Sequence, residues 1–119
     1  MQKLAKREEQ IMQAIWKLQK AFVKEIIEEL PDPKPHYNSV STMVRILEDK
    51  GFVSHEAFGK THRYYPLISK EEYQKTAVGE LLGKYFDNSP SKMVAYFAEK
   101  ESISEDELKE ILKMIQKGQ

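Results

Sequence analysis

Residues 37–52 read YNSVSTMVRILEDKGF. Val40, Val44 and Leu47 recur at i, i+4 and i+7 with Met43 beside them, so one apolar stripe runs at helical spacing. Gly51 supplies the stop, because glycine readily takes the left-handed conformation that closes a helix. The other positions are unusual for a helix. Asn38, Ser39, Ser41 and Thr42 are weak helix formers, and with Arg45 they fall on the side away from the stripe. A helix anchored by one apolar face and short-chained on the other suits the major groove of DNA. Asn pairs bidentately with adenine, hydroxyls reach bases or phosphates, and a Thr methyl meets the methyl of thymine. The same residue types also serve as a plain N-cap, so the flanking sequence decides.

Upstream, Ile11, Ile15 and Leu18, with Met12 and Trp16, mark a helix over about Lys6–Leu18. Val23, Ile26, Ile27 and Leu30 mark a second, which PDPKP (31–35) ends because proline lacks an N–H and clashes with the preceding turn. Downstream, FVSHEAFGKTHRYYPL (52–67) is rich in β-branched and aromatic residues and interrupted at Phe58–Lys60, which predicts a hairpin. Lys60, His62 and Arg63 at and after its tip are residue types that contact phosphate. A Lys/His/Arg hairpin is also a common solvated edge. Three helices and a two-stranded wing make a winged helix-turn-helix.

Beyond the wing, Ser69/Glu72 and Ser104/Glu107 have capping-box spacing, and Ser89-Pro90 has the form of a cap with proline at the first helical position. They open three more helices. The expected fold class is therefore mainly α with a small β-hairpin wing: a DNA-binding domain over residues 1–70 and a helical region over 71–119. Leu81, Leu82, Tyr85, Phe97, Leu108, Ile111, Leu112 and Ile115 are too many apolar groups for this short region to bury alone. They predict pairing with a second copy, a two-fold dimer being the commonest solution.

The totals agree with a soluble globular chain: 119 residues, 40% hydrophobic, 32% charged, net charge zero. The zero conceals a split. Residues 1–70 carry 12 Lys or Arg against 9 Asp or Glu, a balance of +3, and the remainder carries the opposite balance. A basic module followed by an acidic segment suits binding to a polyanion. No run approaches the roughly 20 apolar residues of a membrane helix, and the charged start MQKLAKREEQ is unlike a signal peptide, so a cytoplasmic protein without membrane insertion is expected. The absence of cysteine excludes disulfides, thiolate zinc sites and thiol catalysis. His36, His55 and His62 have no metal-ligand spacing and there is no Gly-rich phosphate loop, so neither an enzyme nor a cofactor or metal is expected.

Across nearly its whole length the chain resembles the BlaI/MecI penicillinase-repressor family. The family's E-x-x-I-M-x-x-I-W is met by Glu8 or Glu9 leading into Ile11, Met12, Ile15 and Trp16. Its T-V-x-T-x-x-x-R-L-x-x-K-G-F/L is met by Ser39, Val40, Thr42, Leu47, Lys50, Gly51 and Phe52. Ile46 stands where the family has arginine, and Arg45 lies one place earlier. Tyr64-Tyr65-Pro66-Leu67 matches the end of the wing, and Phe97–Leu112 matches the dimerisation end. The resemblance implies a homodimeric repressor on a double-stranded, pseudo-palindromic operator, controlling β-lactamase or penicillin-binding-protein genes. It implies relief by proteolysis, often through a membrane-bound sensor metalloprotease. The matching bond is Tyr96–Phe97. The best-known members have Asn before that Phe, and as residues Tyr96 and Phe97 read equally as dimer-core aromatics. The cysteine motif of copper-responsive relatives is missing. Two other functions fit the residues: a winged-helix module that binds protein, and a ligand-responsive regulator without a proteolytic switch.

Overall fold

A computed structural model of the chain describes residues 3–100 and 104–117. It divides into two compact units that meet in sequence at residues 70 and 71. The first contains α1 (Lys6–Leu18), β1 (Ala21–Phe22), α2 (Val23–Glu29), α3 (Tyr37–Asp49), β2 (Val53–Phe58) and β3 (Thr61–Pro66). The second contains α4 (Lys70–Tyr85), α5 (Pro90–Lys100) and α6 (Glu105–Lys117).

The first unit is built on the stripes read from the sequence. Ile11, Met12 and Ile15 of α1, Ile26 of α2, and Val40, Val44 and Leu47 of α3 are all fully buried together with Val53. Burying each such side chain is worth about 1.5–3 kcal/mol. α1 has no polar N-cap side chain. Instead the Glu8 carboxylate reaches back and accepts the Ala5 N–H at 2.8 Å, which is half of a capping box. Glu25 does the same for the Phe22 N–H at 2.9 Å at the start of α2. The far end of α2 is closed by Lys34, whose ammonium donates to the Glu28 carbonyl at 2.9 Å.

α3 ends in a Schellman motif. The Phe52 N–H donates to the Leu47 carbonyl and the Gly51 N–H to that of Glu48, each at 3.0 Å, with Gly51 at φ +84°. This turn carries Phe52, 1% exposed, into the core and launches β2. β2 and β3 pair antiparallel from Val53↔Pro66 to Phe58↔Thr61. The two-residue loop Gly59-Lys60 has Gly59 at φ +62°, the glycine-first arrangement that suits the twist of a hairpin. The sequence predicts only these two strands. The structure adds β1, which pairs with β3 through Ala21↔Tyr64 and Phe22↔Arg63, so the strand order is β1-β3-β2. The result is a winged helix with a three-stranded antiparallel sheet. Trp16 fastens the segment after β3 to α1, its indole N–H donating to the Ile68 carbonyl at 2.9 Å.

In the second unit Ser89 and Ser104 act as caps. Ser89 Oγ accepts the Lys92 N–H at 3.2 Å with Pro90 at the first helical position, and Ser104 Oγ accepts the Glu107 N–H at 3.1 Å. Asp87 and Asn88 take positive φ between α4 and α5, where the Asn88 N–H donates back to the Leu82 carbonyl. The core is small: Leu82 and Met93 are buried, with Val78, Phe86, Phe97 and Ile111 packed against them. Among the described residues no helix is long and apolar enough to cross a membrane.

Candidate nucleic-acid interface

With Val40, Val44 and Leu47 fixed inward, the 100° step of a helix turns Asn38, Ser39, Thr42 and Arg45 outward. All four are exposed, and Ser41 is half-buried at the edge of that face. The structure thus brings the five predicted groove-facing residues onto one helix. It changes the reading of one of them. The Thr42 hydroxyl donates to the Asn38 carbonyl at 2.9 Å, a bond back along the helix, so it is not aimed at an outside acceptor. Ile46, one turn beyond Thr42 and absent from the sequence-derived set, is 41% exposed on the same side.

The helix is held near its C-terminal end by an ion pair and a hydrogen bond to other elements. Lys50 donates to Glu8 at 2.9 Å, joining α3 to the start of α1. Burial of Glu8 opposes its charge, but the Ala5 amide and the Lys50 ammonium outweigh it and hold the carboxyl below its ordinary value. Glu48 lies 2.7 Å from His55 Nδ1 on β2, joining α3 to the wing. Neither pair was found from the sequence. Each joins a helix position to a residue in another element, and no residue spacing signals that.

On the wing, strand alternation separates the predicted contacts. His62 lies on the face of His55 and Tyr64, its ring stacked on that of His55 with centroids 4.1 Å apart. Arg63 is on the opposite face. Its guanidinium sits 5.6 Å from the Phe58 ring centroid, and its Nε is buried without a hydrogen-bond partner. Lys60 is exposed at the tip. His62 and Arg63 therefore flank the hairpin on opposite faces. The acid on the wing is neutralised locally. Lys20 donates to Glu56 at 2.9 Å and holds its carboxyl below the usual range, with Arg63 across the hairpin adding to the effect. Among the described residues no group of three or more His, Cys, Asp or Glu is placed to hold a metal ion.

The residues expected to pair two copies fall into three sets. Leu81 and Tyr85 are exposed. Leu82 is inside its own unit's core, with Phe97 and Ile111 partly covered against it. The side chains of Leu108, Leu112 and Ile115 lie outside the described residues. Tyr96, 48% exposed, contacts the rings of Phe86 and Phe97, and the Tyr96–Phe97 bond is internal to α5.

Comparison with known proteins gives four findings. The chain is 26% identical over 115 residues to the methicillin resistance regulatory protein MecI of Staphylococcus aureus (strain N315), covering 96% of this chain and 94% of that one. It is 26% identical over 112 residues to the penicillinase repressor of Bacillus licheniformis, covering 90% and 84%. A solved structure, described as that of the CopR repressor, matches with 29% identity and a TM-score of 0.47, covering 57% of this chain and all of that one. The sequence model of the penicillinase repressor family matches residues 4–117, and the chain belongs to that family.

Proposed function

We propose that the protein is a homodimeric, sequence-specific transcriptional repressor that binds a pseudo-palindromic operator in double-stranded DNA. The observation that carries this reading is the outward face of α3. Asn38, Ser39, Thr42 and Arg45 are exposed together on a helix whose opposite face is fully buried. α3 enters the major groove, and Lys60 at the wing tip, with His62 on one face of the hairpin, holds phosphates. The relatives' names, a resistance regulator and a penicillinase repressor, support regulation of cell-wall antibiotic resistance genes.

The second unit pairs two copies through its exposed apolar groups, Leu81, Tyr85, Tyr96 and Met114, together with the far end of α6. Two tethered reading heads gain a high effective concentration at the second half-site. Loss of the paired state then releases the operator without altering any reading residue. A sensor metalloprotease that cuts at Tyr96–Phe97 achieves this only after α5 opens, since the bond is helical.

The test is selection of duplexes from a random pool by the full chain, followed by affinity measurements across salt. The reading predicts a recurring two-fold sequence and a steep fall in affinity with salt. Salt-insensitive capture of a protein partner with no enriched duplex supports the protein-binding alternative.

A further inference from the structure

We infer that Thr42 and Ile46 form a methyl-reading pair that selects thymine in the major groove, which rests on the DNA-binding reading of α3. The Thr42 hydroxyl donates back along the helix to the Asn38 carbonyl, 2.9 Å away, which leaves the methyl as the uncommitted group of this exposed side chain. Ile46 lies four residues on, directly above it on the helix, and leaves 41% of its surface in solvent although α3 has a fully buried stripe available for apolar residues. The two side chains stand about 5–6 Å apart, the spacing of i and i+4 neighbours. Polar or charged Asn38, Ser39 and Arg45 surround them on the same face. A lone apolar strip inside a polar groove-facing surface matches one feature of the major groove, the thymine 5-methyl, the only apolar group that base edges present there. Base pairs rise about 3.4 Å each, so the pair spans thymines about one or two steps apart. Polar reading at these positions is assigned to Asn38 and Arg45, not to Thr42.

The experiment replaces each thymine of the selected duplex, one at a time, by deoxyuridine, which differs only in lacking the 5-methyl. At one or two adjacent or next-adjacent positions per half-site affinity falls about fourfold, the factor that burial of one methyl-sized group carries. Thr42→Ser, which removes one methyl from an exposed position, loses a similar factor on the thymine duplex, and Ile46→Ala, which removes three carbons, loses at least as much. Each then ceases to distinguish thymine from uracil at its own position. If the wild type binds the selected duplex but no uracil substitution changes affinity, or if the discrimination survives in both variants, the inference is overturned while DNA binding stands. If no duplex is enriched at low salt, the DNA-binding reading fails and this inference with it.

Discussion

The two units differ in how completely they satisfy their own apolar surface. Of the buried apolar residues described, all but Leu82 and Met93 lie in the first unit, and its helices bury whole stripes. The second unit leaves Leu81, Tyr85, Tyr96 and Met114 exposed at 40–66% on helices that close around a two-residue core. The first leaves Tyr37, Ile46, Phe58 and Leu67 exposed as well, but around a far larger core. The second carries a comparable apolar exposure on a much smaller core, and that imbalance is the physical reason to expect a second copy.

The contrast is sharpest if that surplus is removed. Leu81→Asp combined with Tyr85→Asp is expected to give monomers in sedimentation and to lower operator affinity by about 10²–10⁴-fold, the gain that tethering confers. Helix content is expected to persist, since both residues are outside the Leu82 core. Next in size is Leu47→Ala at the centre of the first core, expected to destabilise that unit by about 2–5 kcal/mol in denaturant unfolding.

Glu8→Gln keeps the shape but removes the charge that joins α1 to α3, at a cost of about 1.5–3 kcal/mol at neutral pH. The folded carboxyl is held below its ordinary value of 4.5, so it contributes stability above that pH. That stability is lost as pH falls through the lower folded value. The variant is expected to lack this component of acid destabilisation. Lys60→Ala should leave stability unchanged and flatten the salt dependence of DNA binding by about one unit, the signature of a single phosphate contact. Smallest is Lys17→Ala. Its 2.8 Å pair with Glu29 is solvent-exposed, and the free energy of unfolding is expected to fall by less than about 1 kcal/mol in denaturant titration.

Much of the first unit was legible because its signals are local. Val40, Val44 and Leu47 repeat at helical spacing, Gly51 and Gly59 stand where a left-handed backbone is needed, and Pro31 follows α2. β1 was not legible: two residues carry no period, and Ala21–Phe22 becomes a strand only because β3 lies beside it. The exposed face of α3 was legible as a set, but the bond within it was not. Asn38 and Thr42 are four apart, the spacing at which a threonine hydroxyl bonds back to a carbonyl, and the sequence reading left both the hydroxyl and the methyl open to contacts. His62 and Arg63 were named by residue type alone, and only the pairing register places them on opposite faces of the strand. The Glu48–His55 and Glu8–Lys50 links join separate elements, and one sequence contains no signal for either.

The most direct measurement is the stoichiometry and affinity of the intact chain on a selected duplex bearing two half-sites one helical turn apart, compared with the same duplex bearing one. Two copies bound to the full site, at least about a hundredfold tighter than to the single half-site, is the expected result. One copy bound with equal affinity to both duplexes would contradict it.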